Sequence, residues 1–216
     1  MLYESFKKEW PGVCRMSSMT IDTMAKWLAA ELAPTLMGSK PSTVLSFRNH
    51  SYFPLLNLWR EYGDVLLEQG PLKKVVLKET ESSMIILFYH PVFLSRWLKR
   101  RPHKEFLEKR GYSVDFGMEA VLNMLHQKFQ QGCPHEIGLI LGIPLKDVIG
   151  FIEVRCPYFC KGQWKIYGCF ENSMRIMNRF NQDREMIENW VSEGVNPCGL
   201  FSADTRKLLE LRQVSA

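Results

Sequence analysis

Residues 133–168 read CPHEIGLILGIPLKDVIGFIEVRCPYFCKGQWKIYG. Two short runs with helical spacing are separated by Gly142-Ile143-Pro144, and the stretch closes on an aromatic strand signal at residues 163–167. Helix and strand therefore follow one another within a single segment, which points to an α+β chain. The stretch also holds three of the six cysteines (Cys133, Cys156, Cys160) and one of the five histidines, His135.

Working outward toward the N-terminus, residues 115–131 form an amphipathic helical pattern with Phe116, Ala120, Leu122, Leu125, His126 and Phe129 available for one face. Pro91 opens a helix running to about Arg100, and Pro102 opens another through Lys109, because proline suits a first helical turn. Residues 73–78 and 84–89 are apolar runs flanking a polar loop, the pattern of a β-hairpin. Residues 53–69 return to a helical period through Leu55, Leu58, Trp59, Tyr62, Leu66 and Leu67, with Gly70-Pro71 as a stop. Residues 42–47 read as a strand. Before it, Thr20 is a helix N-cap followed by Ile21, Met24, Trp27, Leu28 and Leu32, and that helix is expected to end near Pro34. Toward the C-terminus, residues 171–191 carry a long helical pattern, Pro197-Cys198-Gly199 breaks it, and a short helix is expected at 204–212. The sum is a predominantly helical single α+β domain over residues 20–191, with a small sheet made of a hairpin plus one or two further strands. An irregular segment, 1–19, precedes it and a C-terminal appendage, 192–216, follows.

A chain of 216 residues, 46% hydrophobic and 24% charged, has room for one real core and the composition of a globular protein. Lys7, Lys8 and Glu9 interrupt any apolar run near the start, so no export signal is expected. The most apolar run, 84–94, contains His90 and Pro91 and is far shorter than the ~20 residues of a membrane span. The expectation is a soluble, cytoplasmic protein with reduced thiols and no membrane association.

The formal net charge of +5 is concentrated. Between Arg96 and Arg110 stand seven basic and two acidic residues, and seven minus two accounts for the whole excess. Arg96, Lys99, Arg100, Arg101 and Lys104, with Trp97 among them, form a basic face suited to an acidic protein partner and, less well, to nucleic acid. Pro102 argues against one continuous helical stripe.

Two other readings belong to different classes. Cys156, Cys160 and Cys169, with His135 upstream, offer thiolates and an imidazole to zinc or an iron–sulfur cluster, although no C-x-x-C pair is present. Gly138, Gly142 and Val148 have the spacing of a DNA-binding helix-turn-helix. The residues expected to be exposed on its second helix, Lys146, Asp147, Ile149 and Gly150, give no cationic footprint. For catalysis the signals are thinner. Glu136 follows Pro134-His135 at a helix start, where the macrodipole alone favours it, and Gly38-Ser39-Lys40 precedes a strand rather than the helix a phosphate loop needs. The sequence therefore leans toward a non-enzymatic accessory or binding protein.

Three segments carry a resemblance. They are Ala33-Pro-Thr-Leu-Met-Gly-Ser-Lys-Pro-Ser42, then Pro134-His-Glu-Ile-Gly-Leu-Ile-Leu-Gly-Ile-Pro144 continuing through Asp147-Val148 to Gly150-Phe151-Ile152, and Cys160-Lys-Gly-Gln-Trp-Lys-Ile-Tyr-Gly168. In order and spacing they are similar to an uncharacterised bacterial family defined only as a domain of unknown function. The resemblance spans most of the chain and implies membership without implying an activity, a cofactor or a site residue.

Overall fold

The computed structural model describes residues 21–68, 70–153 and 157–202. In chain order the elements are α1 (Ile21–Leu36), β1 (Ser42–His50), β2 (Phe53–Pro54), α2 (Leu55–Leu67), β3 (Lys73–Glu79), β4 (Ser83–Tyr89), α3 (Pro91–Leu98) and α4 (Arg101–Glu108). A 3-10 turn (Val114–Phe116) leads to α5 (Met118–Gln131), α6 (Ile137–Ile140), α7 (Leu145–Glu153), β5 (Cys160–Lys161), β6 (Lys165–Ile166), α8 (Phe170–Ser192) and α9 (Pro197–Ser202). The chain is α+β and mostly helical. The expected irregular segment 1–19 and the expected helix at 204–212 lie outside the described residues.

The sheet explains why β4 is apolar at nearly every position. Its order is β2-β1-β4-β3, all antiparallel, so β4 is a central strand. Side chains of a strand alternate between faces. Met84, Ile86 and Phe88 point to one side with Leu45 and Phe47 of β1, against α1, α2, α8 and α9. Leu87 and Tyr89 point to the other with Leu77 of β3, against α3 to α7. A sheet covered on both faces needs a strand hydrophobic on both. The expected hairpin is β3–β4, with a bulge between Val76 and Lys78, and β1 joins it across β4 with Ser42 opposite Tyr89.

On the first face, Phe47 stacks against Trp59 with ring centroids 4.6 Å apart, and Trp59 meets Phe88 edge-on at 5.2 Å. On the second, α5 guards the exposed edge of the sheet. His126 Nδ1 lies 2.9 Å from the Val76 carbonyl and Gln130 Nε2 donates to Leu77 O at 2.9 Å. Carbonyls freed at a bulged edge are thereby satisfied by side chains, which blunts an edge that could otherwise recruit another strand.

Two helices have bounds other than the sequence suggests. α1 continues past Pro34 to Leu36, since Met37 N still reaches Ala33 O at 2.9 Å and a proline in the last turns removes only its own bond. α5 begins at Met118, because Gly117 at φ 94° ends the preceding 3-10 turn. Phe116, expected on the buried face, falls before that helical phase starts and is 85% exposed. Of the segment 192–216, residues 192–202 are described, and Leu200 and Phe201 of α9 join the first core. No helix among the described residues is long and apolar enough to cross a membrane.

Candidate functional site

The segments singled out in the sequence meet one another. The carboxylate of Asp147, in α7, is fully buried and surrounded by donors. Lys146 Nζ donates to Oδ1 at 2.6 Å and the Tyr167 backbone N–H at 2.7 Å; Ser173 Oγ donates to Oδ2 at 2.6 Å and Trp164 Nε1 at 2.9 Å. A buried charge persists only when it is paired and its lone pairs are filled, and here both conditions hold. One side chain thus ties α7 to β6 and to the first turn of α8. The glycines follow from the same packing: a Cβ at Gly150 would strike the Tyr167 ring, and one at Gly162 would stand 2.6 Å from Met177 Sδ. From helical spacing alone, Asp147 and Lys146 belong on an exposed helix face. The structure corrects this, since Lys146 turns inward and also donates to Tyr167 O at 2.7 Å and Ser173 Oγ at 2.7 Å.

The turn after α1 docks on the same neighbourhood. Pro41 packs on Gly142, whose φ is 83° and where an added Cβ would lie 2.6 Å from Pro41 Cδ. Ser42 Oγ donates to Ile140 O at 2.7 Å, and Thr35 and Thr43 join their hydroxyls at 2.8 Å. Ser39 Oγ donates to the buried carboxylate of Asp183 on α8. Beside it, the Lys40 ammonium sits 5.6 Å from the Phe180 ring centroid. Burial foremost, and then the neighbouring Arg184 guanidinium, bring the Lys40 pKa down to about 8 against the opposing pull of Glu31. Arg184 is bonded to Glu31 at 3.0 Å, and Arg179 Nε lies 3.7 Å from Asp183 Oδ1. An open groove of about 680 Å³ runs along the outside of α8 here, lined by Ser39, Met174, Arg175, Arg179, Phe180 and Gln182 among others. Chemically it offers two guanidiniums one helical turn apart over an apolar floor.

Of the predicted basic face, Arg96 lies on α3, Lys99 and Arg100 in the link, and Arg101 and Lys104 on α4. Arg101 is bonded to Glu105 at 2.8 Å. Lys104 reaches Asp115 and, at 3.7 Å, Glu108; the hydrogen bond to Asp115 raises its pKa. Among the described residues no carboxylate pairs with Arg96, Lys99 or Arg100. The Arg100 guanidinium lies 4.5 Å from the Trp97 ring centroid. Trp97 is itself held, donating from Nε1 to Leu139 O at 2.7 Å and packing on His103 at 4.4 Å, whose own burial lowers its pKa.

Among the described residues the candidate metal ligands do not gather. Among the described residues no three of the His, Cys, Asp and Glu side chains converge to hold a metal ion, so His135, Cys160 and Cys169 form no site by themselves. Cys156 lies outside the described residues. His135 packs edge-on against Phe151 at 5.1 Å, and the exposed Cys169 thiol donates to Glu171 at 3.4 Å. Cys133, Cys160, Cys169 and Cys198 are free thiols. Glu136, read as a helix-start residue, proves to be a buried acceptor: Lys128 Nζ donates to it at 2.6 Å and Tyr112 Oη at 3.2 Å. Burial would raise its pKa, but the bond from Lys128 and its own backbone N–H outweigh that and lower it.

Sequence reasoning missed Asp147, Asp183 and Glu136 as buried carboxylates. The one available signal was composition: donors such as Trp164 and Ser173 need a buried acceptor, but sequence does not say which.

A family model described as "Protein of unknown function (DUF3793)" matches residues 28–201. No curated protein and no solved structure matches the chain.

Proposed function

This chain belongs to that family of unknown function, and from that premise we propose that it is a non-enzymatic accessory protein of the bacterial cytoplasm. It docks an acidic partner protein through Arg96, Lys99 and Arg100. The observation that supports this reading is the division within the basic face. Arg101 and Lys104 are neutralised within the chain, whereas the other three cations are presented outward, and one is braced on an immobilised tryptophan. A planar guanidinium stacked on a fixed ring loses less rotamer freedom when a carboxylate arrives. Val92, one turn before Arg96 on α3, is also exposed and adds an apolar contact to the same stripe.

The division makes the test specific. Reversing Arg96, Lys99 and Arg100 to glutamate abolishes salt-sensitive capture of the partner in pull-downs from the native host. Reversing Arg101 and Lys104 leaves capture within about threefold, since exposed ion pairs contribute about 1 kcal/mol or less. Unchanged capture by the Arg96, Lys99 and Arg100 reversal would remove the basic face from the mechanism, and equal loss in both variants would remove the division within it. A zinc or iron–sulfur role for Cys156, Cys160, Cys169 and His135 is the competing outcome, and stoichiometric metal in anaerobically purified protein would establish it. Against a helix-turn-helix role, the exposed residues of α7 are Phe151 and Glu153, which bring no cation to a phosphate backbone.

A further inference from the structure

The outward faces of α2 and α3 carry opposite charge in one pattern. On α2, Glu61, Val65 and Glu68 stand at i, i+4 and i+7, the spacing of a single stripe along a helix. All three are exposed, Val65 to 66%. Glu68 caps the helix at φ −54° and ψ −45°, so it keeps the helical phase. On α3 the same spacing recurs in Val92, Arg96 and Lys99, which are also exposed. Lys99 caps that helix at φ −74° and ψ −8°. Each stripe spans about 10 Å of helix. An isolated exposed valine needs no account. Two of them, each set in a stripe of one sign and the signs opposite, make complementary surfaces.

The acidic stripe is not neutralised within the chain. Among the described residues no cation pairs with Glu61 or Glu68. Glu61 meets the Tyr62 hydroxyl, a neutral donor, and that hydrogen bond raises the tyrosine pKa. Asp64, on the same side of α2, is bonded to Lys74 at 2.8 Å, yet its side chain stays 83% exposed. The single cation of α2, Arg60, is bonded to Glu79 of β3 at 3.1 Å. The helix therefore presents carboxylates around an apolar centre, in a chain whose net charge is +5.

The basic and acidic stripes belong to different sides of the molecule. α2 contributes Leu55, Leu58 and Trp59 to the core on the first face of the sheet, and α3 contributes Leu94 and Leu98 to the core on the second. A contact between the two stripes thus joins two molecules. We propose that the acidic partner bound by Arg96, Lys99 and Arg100 is a second copy of this chain, docked through the Glu61–Val65–Glu68 stripe of α2. This rests on the basic-face reading and names the partner of that same surface. With the stripes on opposite sides of the sheet the contact is head-to-tail, and each copy added leaves one stripe of either sign exposed. Two stripes of two helical turns cover less than the ~800 Å² per partner of a stable complex. Association is accordingly weak, and it falls with salt because the charges are exposed.

The test is sedimentation velocity on the full chain from about 10 μM to about 1 mM, where weak complexes form. At low salt the mean mass rises with concentration, and at high salt it returns to that of one chain. Two variants are compared: Glu61→Lys with Glu68→Lys, and the reversal of Arg96, Lys99 and Arg100 to glutamate. Each weakens self-association at least about tenfold, equivalent to about 1.4 kcal/mol. Mixing them restores it, since each variant keeps the stripe that the other has lost. All five side chains are exposed, so circular dichroism of both variants matches the parent chain. A chain that stays monomeric, self-association indifferent to the α2 reversal, or a mixture that does not recover would each overturn the proposal. Capture of a host protein by a monomeric chain would sink the second copy and leave the basic face standing. A reversal of Arg96, Lys99 and Arg100 that alters neither capture nor self-association would remove both.

Discussion

Lys40 shows how the burial of a single cation can oppose stability. Its pKa in the folded chain is about 8, against 10.5 for an ordinary lysine, because burial disfavours the ammonium and Arg184 repels it, while Glu31 opposes both. Between pH 8 and 10.5 the unfolded chain therefore binds more protons than the folded one, and stability rises with pH across that window. Below pH 8 the full penalty applies. A shift of this size has a ceiling of about 3 kcal/mol, which partial exposure reduces to about 1–2 kcal/mol. Lys40→Met should accordingly raise the thermal midpoint at pH 7 by a few degrees, on the order of 2–4 °C per kcal/mol. That gain should shrink above pH 8 and be absent above pH 10.5. A gain independent of pH would show that packing alone, and not the charge, was at issue. The residue types were visible in the Gly38-Ser39-Lys40 triplet. Their setting was not, since Ser39 meets Asp183 across 144 residues of chain.

At the scale of elements, the lock formed by Asp147 determines how α7, β6 and α8 sit together. β5 and β6 are each two residues long, too short to hold themselves in place, so their position depends on side chains that reach other elements. Asp147→Asn retains the shape but turns one oxygen into a donor among donors. It should lower stability by about 3–5 kcal/mol, the usual result of breaking a buried, hydrogen-bonded charge. Chemical denaturation should register the loss, and Trp164 emission should shift as its acceptor changes. A loss below about 1 kcal/mol would mean that water already shares the site. Helix and strand types in this region were legible, because the Gly142-Ile143-Pro144 turn and the Trp164–Tyr167 run are local signals. That Lys146 and Asp147 face inward was not, because helical period alone does not say which side of a short helix a later strand will cover.

For the molecule as a whole, the sheet divides the interior into two cores, and α9 closes the first of them. Leu200 is 2% and Phe201 1% exposed, and Gly70 lies so close to the Phe201 carbonyl that a Cβ there would strike it. Phe201→Ala should therefore destabilise the whole domain by about 3–5 kcal/mol, as core phenylalanines do, and in a single cooperative transition. An appendage would have shown almost no effect, and a value near zero in urea unfolding would return α9 to that status. The broken pattern at Pro197-Cys198-Gly199 concealed this role, since six residues are too few to display a helical face.

The α+β class, the β3–β4 hairpin, the long helix α8 and the family were legible in the chain before folding, because periodicity, turn residues and ordered motifs are local properties. The positive excess between Arg96 and Arg110 was legible as well. Folding sets which of those charges are paired internally, which carboxylates are buried and which aromatics face outward. Pairing and burial depend on what the rest of the chain brings alongside. Lys104 is neutralised by Asp115, and Asp147 is satisfied by Ser173 twenty-six residues on, and neither relation has a signature in sequence spacing.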